Sequence, residues 1–148
     1  MGQSYRGRVA ALDLGEAYTG VALSDPGGTL ASPLEVVPAD RLNEYLRGLF
    51  VREPVPEVIV GVPKTMGGEI GFQARRVLDT LETLREEFPA VRFVPWDERL
   101  TTKVARSAVS GGRKRGQRRR ARERVDHLAA AAMLQEYLDG GRAFEAAR

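Results

Sequence analysis

Three acidic positions, far apart in the chain, each stand against apolar residues. Asp13 lies within Val9-Ala10-Ala11-Leu12-Asp13-Leu14. The adjacent pair Asp97-Glu98 follows the apolar run ending in Val94-Pro95-Trp96 and precedes Arg99-Leu100-Thr101-Thr102. Asp126 stands in Val125-Asp126-His127-Leu128-Ala129-Ala130. An ionised carboxylate in an apolar element is costly unless it is paired or binds a metal. Three such settings suggest one converging site, and hard oxygen donors favour magnesium or manganese. Two such ions, about 4 Å apart, activate water and stabilise the leaving oxygen of a phosphodiester. A rigid central strand suits the carboxylate shared between them. Asp13 is expected to bridge, with Glu98 and Asp126 each holding one flank.

Other residues near these acids invite auxiliary roles. Neighbouring side chains on a strand point apart, so Asp97 is expected to cap the following helix or pair with Arg99, and only secondarily to help hold metal. His127, the single histidine, either assists proton transfer beside Asp126 or is an ordinary packed imidazole. Gly61-Val62-Pro63-Lys64-Thr65-Met66-Gly67-Gly68 follows a strand and precedes a helix. It reads equally as a glycine-requiring turn or as amides offered to a phosphate, with Lys64 adding charge. Arg99 can contact a nucleic-acid strand. Trp96 is expected in the core, whereas Tyr18 is free to stack on a base. Asp25, in the turn Asp25-Pro26-Gly27-Gly28, reads as structural.

The elements that must position these residues follow from periodicity. Residues 8–14 suit a central strand. Gly20–Ser24 reads as a second strand, reached through the loop 15–19, and a third runs from Thr29 to Val37, giving an antiparallel meander. Ala39 to Phe50 carries Leu42, Tyr45, Leu46 and Leu49 at helical spacing. Glu57–Val62 is a buried strand. Glu69 to Phe88 reads as a helix with Phe72, Val77, Leu78, Leu81 and Leu84 facing inward. Val91–Val94 is a fifth strand, leading into the acidic pair. A helix capped by Thr101 or Thr102 runs to about Val109, and a last helix spans about Arg120 to Leu138. The expected fold is α/β, a five-stranded mixed sheet flanked by helices, with two parallel strands added by right-handed crossovers. Ligands then gather at the carboxyl ends of strands one, four and five. The last helix must pack across the sheet there for Asp126 to join.

Composition bounds the class. A chain of 148 residues, 43% hydrophobic, is expected to form one domain over 1–148. It has no cysteine, which excludes disulfides and zinc–thiolate sites. No run approaches the roughly 20 apolar residues that span a membrane, and the first residues lack a signal-peptide core. A cytoplasmic protein is expected. The net charge of +3 is asymmetric: residues 113–124 carry eight basic side chains and one acid, leaving −4 for the rest. Arg113, Lys114, Arg115, Arg118, Arg119 and Arg120 form the dense part. With Gly111, Gly112 and Gly116 they read as a mobile basic loop over 113–120 that orders on a polyanion. Residues 140–148 read as a loose tail.

With its motifs in place, the sequence resembles the YqgF family, also called RuvX, of Holliday junction resolvases and pre-ribosomal RNA nucleases. The resemblance rests on four stretches: Ala11-Leu12-Asp13-Leu14-Gly15 with Gly20-Val21-Ala22; Val60-Gly61-Val62-Pro63 with Met66 and Gly68; Asp97-Glu98-Arg99-Leu100-Thr101-Thr102; and Val125-Asp126 with Ala129-Ala130. It implies an RNase H-like fold and places the catalytic, metal-holding acids at Asp13, Glu98 and Asp126. Ala17-Tyr18-Thr19 and Gly67 depart from the usual pattern and are expected in loops. The implied activity is a metal-dependent endonuclease on structured nucleic acid, either a ribosomal RNA precursor, with trimming of the pre-16S leader placed first, or branched DNA. A junction resolvase calls for a homodimer, whereas leader trimming does not. The main alternative is a non-catalytic RNA-binding module acting through the basic loop. Asp13-Leu14-Gly15 with Gly20-Val21 also resembles the first phosphate loop of sugar kinases and actin-like ATPases, but those need two such domains.

Overall fold

β1 (Val9–Leu14) is apolar on both faces because it is the middle of the sheet. The structure, a computed structural model, describes residues 7–63, 71–98 and 127–141. Its five strands run in the order β3-β2-β1-β4-β5. β2 (Tyr18–Ser24) lies antiparallel to β1, and β3 (Ala31–Pro38) antiparallel to β2. β4 (Glu57–Val62) and β5 (Arg92–Asp97) continue the other side in parallel. This is the mixed sheet read from the sequence, with strand one at its centre.

Local chemistry explains the turns and edges. The β2–β3 connection closes on Asp25, whose Oδ1 accepts the Thr29 and Leu30 N–H groups at 2.7 and 2.8 Å. Those donors, Leu30 first, hold its carboxyl below the usual carboxylate range. Gly28 takes the left-handed conformation there, φ +71°. Both sheet edges carry proline: Pro33 in β3 and Pro95 in β5. Proline lacks the N–H that an inner strand must donate, so it is tolerated at an edge and blunts further pairing.

The crossovers supply the helices. After a 3₁₀ turn (Ala39–Arg41), α1 (Leu42–Arg52) buries Leu42, Leu46 and Leu49. α2 (Phe72–Glu87) buries Ala74, Val77, Leu81 and Leu84. Both cover the sheet face formed by Ala10, Leu12, Val58 and Val60. The opposite face, Val9, Ala11, Ala22 and Ile59, packs against Ala130, Met133, Leu134 and Tyr137. Those residues belong to α3, helical over 127–136, and to the π-helical turn Tyr137–Gly141 that follows it. Gln135 clips α3 to the hairpin. Its Nε2 donates to Thr29 O, and its Oε1 accepts the Ala31 N–H, both at 2.9 Å.

Four sequence readings need correction. β2 begins at Tyr18, so Tyr18 and Thr19 are strand residues rather than loop. β3 begins at Ala31, after the Asp25 turn, and runs to Pro38. β5 continues through Pro95 and Trp96 to Asp97, because an edge strand accommodates the proline. Phe72 does not face inward: it is 85% exposed, since the buried stripe of α2 starts at Ala74. The readings over 101–126, including the Thr101/Thr102-capped helix, the basic loop 113–120 and the start of the last helix, lie outside the described residues. So do residues 64–70 and the tail beyond 141.

Candidate active site

Strand alternation puts Asp13 on the α3 side of the sheet. Val9 and Ala11 belong to the cluster under α3, whereas Ala10, Leu12 and Leu14 face α1 and α2. Asp13 is next in the first series, half-buried where its strand neighbours are fully buried. Directly across on β2 stands Gly20. On β4 the register pairs Leu12 with Val60, so one residue further along Asp13 falls beside Gly61. Neither flanking strand brings a side chain over the carboxylate.

Glu98 approaches the same place from β5. Val94 and Trp96 pack in the α3-side cluster, and Gly61 is the register partner of Trp96. Glu98 follows in that series. A Cβ built on Gly61 would lie 2.5 Å from Glu98 Oε2, 2.9 Å from Glu98 Cγ and 2.8 Å from Met133 Sδ. Real Cβ atoms do not show contacts that close. The Glu98 side chain therefore lies over the bare backbone of β4, on the strand between its own and that of Asp13. Adjacent strands are about 4.8 Å apart, so a single strand width is all that a side chain from each side must span.

α3 brings its amino end to this place. Gln135 is held at Thr29–Ala31, where Ala31 pairs with Ser24 and the Ser24 Oγ accepts the Val9 N–H at 2.9 Å. That is the end of the sheet where β1 begins. Helical side chains lean toward their helix's amino end, and Met133 reaches Gly61 near the other end of the sheet. α3 thus runs back from the carboxyl ends of the parallel strands. His127 begins its described part, half-buried, on the stripe of Ala130 and Leu134. Asp126, the residue before it, lies outside the described residues.

Asp97 closes β5 opposite Val62 and falls in the series of Phe93 and Pro95, on the α1/α2 side. Trp96 packs against Tyr137 edge-to-face, centroids 5.6 Å apart. Lys64, Arg99, Arg113, Lys114, Arg115, Arg118, Arg119 and Arg120 lie outside the described residues. Among the described residues no three acids, histidines or cysteines gather as a metal site. What is described is a pair of carboxylates on one face, the Glu98 side chain lying over the glycine of the strand between them. That donor chemistry fits a hard divalent cation. The sequence named Gly61 only as a turn or phosphate contact. Its part in admitting Glu98 has no local signal, because it depends on the pairing of β4 with β5.

Comparison with known proteins decides the family. The family signature of RuvX, described as Holliday junction resolvase, matches residues 7–140. The chain belongs to the RuvX family. A protein of Rubrobacter xylanophilus named "Putative pre-16S rRNA nuclease" is 65% identical over 135 residues, covering 91% of this chain and 94% of that protein. A protein of Desulforamulus reducens with the same name is 38% identical over 138 residues, covering 90% of this chain and 98% of that protein. Among solved structures, Thermus thermophilus RuvC in complex with Holliday junction substrate superposes with a TM-score of 0.52 at 16% identity, over 93% of this chain and 96% of that one. The RuvX chain therefore has the RNase H-like fold.

Proposed function

We propose that this chain is a divalent-metal-dependent endonuclease that hydrolyses phosphodiesters in structured nucleic acid. The carrying observation is the approach of Asp13 and Glu98 from β1 and β5 across Gly61. Asp13, Glu98 and Asp126 are the residues that would hold two magnesium or manganese ions. Bound there, such ions supply an activated water and charge stabilisation at the leaving oxygen. The protein's own contribution is positional: β1 is fixed in the centre of the sheet, and α3 screens the site from below with Met133. His127 serves as an auxiliary group, whereas Asp97, whose side chain falls on the α1/α2 face, stays outside the site. Lys64, Arg99 and the basic side chains of 113–120 take backbone phosphates. The whole of 1–148 acts as one nuclease domain.

We place trimming of the 5′ end of pre-16S ribosomal RNA first among substrates, which puts the enzyme in the cytoplasm. Support comes from the naming of the Rubrobacter and Desulforamulus relatives. Junction resolution is the second activity, supported by the family's description. A side-by-side cleavage assay with magnesium, manganese or chelator separates them, using a labelled four-way DNA junction and a labelled precursor RNA. Metal-dependent cutting of the RNA alone makes this a processing enzyme. Paired symmetric nicks in the junction make it a dimeric resolvase. Binding without cutting of either overturns the nuclease reading in favour of a non-catalytic RNA-binding module.

A further inference from the structure

Phe72 and Arg76 are anomalous in complementary ways. Phe72 is a large aromatic ring left 85% exposed on the first turn of α2. Arg76 buries its Nε and Nη2, and among the described residues neither nitrogen finds an acceptor. Buried donors without partners are rare in folded proteins because each forfeits its hydration. The two residues are four apart on one helix, so their side chains are neighbours on its surface. A ring offered to solvent beside a guanidinium with two unmatched donors is a combination that neither core packing nor surface solubility explains.

Their position relates them to the candidate site. Arg85 Nη2 donates to Phe93 O at 2.9 Å, and the Phe88 and Phe93 rings lie 6.4 Å apart. The carboxyl end of α2 is therefore beside the start of β5. Phe72 lies about 20 Å back along the helix at the ordinary rise per residue. β5 itself spans about 20 Å. The amino end of α2 consequently reaches the carboxyl edge of the sheet, the edge at which Asp13 and Glu98 stand, though from the opposite face.

We propose that Phe72 and Arg76 form a clamp for an unpaired nucleotide, the ring stacking on its base and the guanidinium taking a backbone phosphate of the same strand. The inference rests on the nuclease reading and narrows its substrate to nucleic acid with an unstacked nucleotide on the strand that passes this edge of the sheet. Stacking is sequence-tolerant, because every base has a flat face, but a base inside a duplex does not offer it. Arg76 gives up no hydrogen bond of its Nε or Nη2 when it swings to the phosphate.

Binding of a fluorescein-labelled single-stranded RNA, and of the same strand annealed to its complement, tests the clamp on the full chain without added metal. Phe72→Ala is expected to weaken single-strand binding about tenfold and duplex binding little, with Phe72→Trp restoring it. Arg76→Gln is expected to lower the slope of log affinity against log salt by about one and to leave the Tm unchanged or higher. Equal losses on both probes, no loss on either, no binding by the parent chain, or a fall in Tm for Arg76→Gln would overturn the clamp. Cleavage by Asp13→Asn separates the two ideas. If that variant is inactive while Phe72→Ala binds normally, the clamp fails and the nuclease reading stands. If it still cuts while Phe72→Ala binds poorly, the nuclease assignment fails and the clamp stands as a binding device.

Discussion

The Glu98 carboxylate occupies the space that any side chain at position 61 would need: a Cβ on Gly61 would come within 2.5 Å of its Oε2. Glycine at this point of β4 is thus a condition for a β5 acid to lie over the neighbouring strand toward β1. Gly61→Ala is expected to push Glu98 and Met133 aside and to abolish most cleavage. Overpacking of this kind costs about 1–3 kcal/mol. Parallel measurement of cleavage rate and Tm checks it. A variant with both unchanged would show that the site tolerates a filled β4 surface.

Asp13 carries a different expectation. Its side chain leaves the central strand toward a face where its flanking residues are both glycines, so replacing one oxygen by an amide removes charge without disturbing packing. Asp13→Asn is expected to lower the cleavage rate by more than about a hundredfold with Tm held. Chelator should do the same to the parent chain. Retained activity in the folded variant would remove Asp13 from the site.

Gln135 holds α3 against the β2–β3 hairpin through Thr29 and Ala31. Gln135→Ala leaves the Ala31 N–H without that acceptor, at a cost of about 1–3 kcal/mol. Because α3 also places Met133 under Glu98, cleavage should fall together with stability. Hydrogen exchange at Ala31 locates the loosened contact.

Tyr45 gives a pH signature at the other side of the molecule. Burial, and then the negative charge of Glu35, raise its hydroxyl above the ordinary tyrosine range. The folded chain therefore keeps this proton at a pH where the unfolded chain has lost it. The associated stability is complete below the unfolded value of about 10 and is lost as pH rises from there through the folded value. Tyr45→Phe should flatten this alkaline limb of the Tm–pH curve and leave neutral stability nearly unchanged. A limb of equal steepness in both proteins would assign it to other groups.

How much of this was written locally in the sequence varies by element. β1 was legible because a strand buried on both faces reads as a nearly unbroken apolar run, and a single acid in it is conspicuous. The buried stripe of α1 was legible from the spacing of Leu42, Leu46 and Leu49. Phe72 was misread because helical periodicity says where a stripe lies but not which turn first meets the sheet. Pro95 hid the true length of β5, since a proline argues against a strand unless the strand is known to be an edge. The Gln135 clip and the clearance at Gly61 depend on contacts between distant segments, and no window of sequence contains them.

The placement of β1 at the centre has a consequence for biosynthesis. Asp13 emerges early from the ribosome and Glu98 late, and they share a face only after β4 has been laid between their strands and β5 beside it. A nascent or prematurely terminated chain that stops before β5 carries one of these carboxylates without the other. The centre we propose would then assemble only once β5, and α3 after it, have been made.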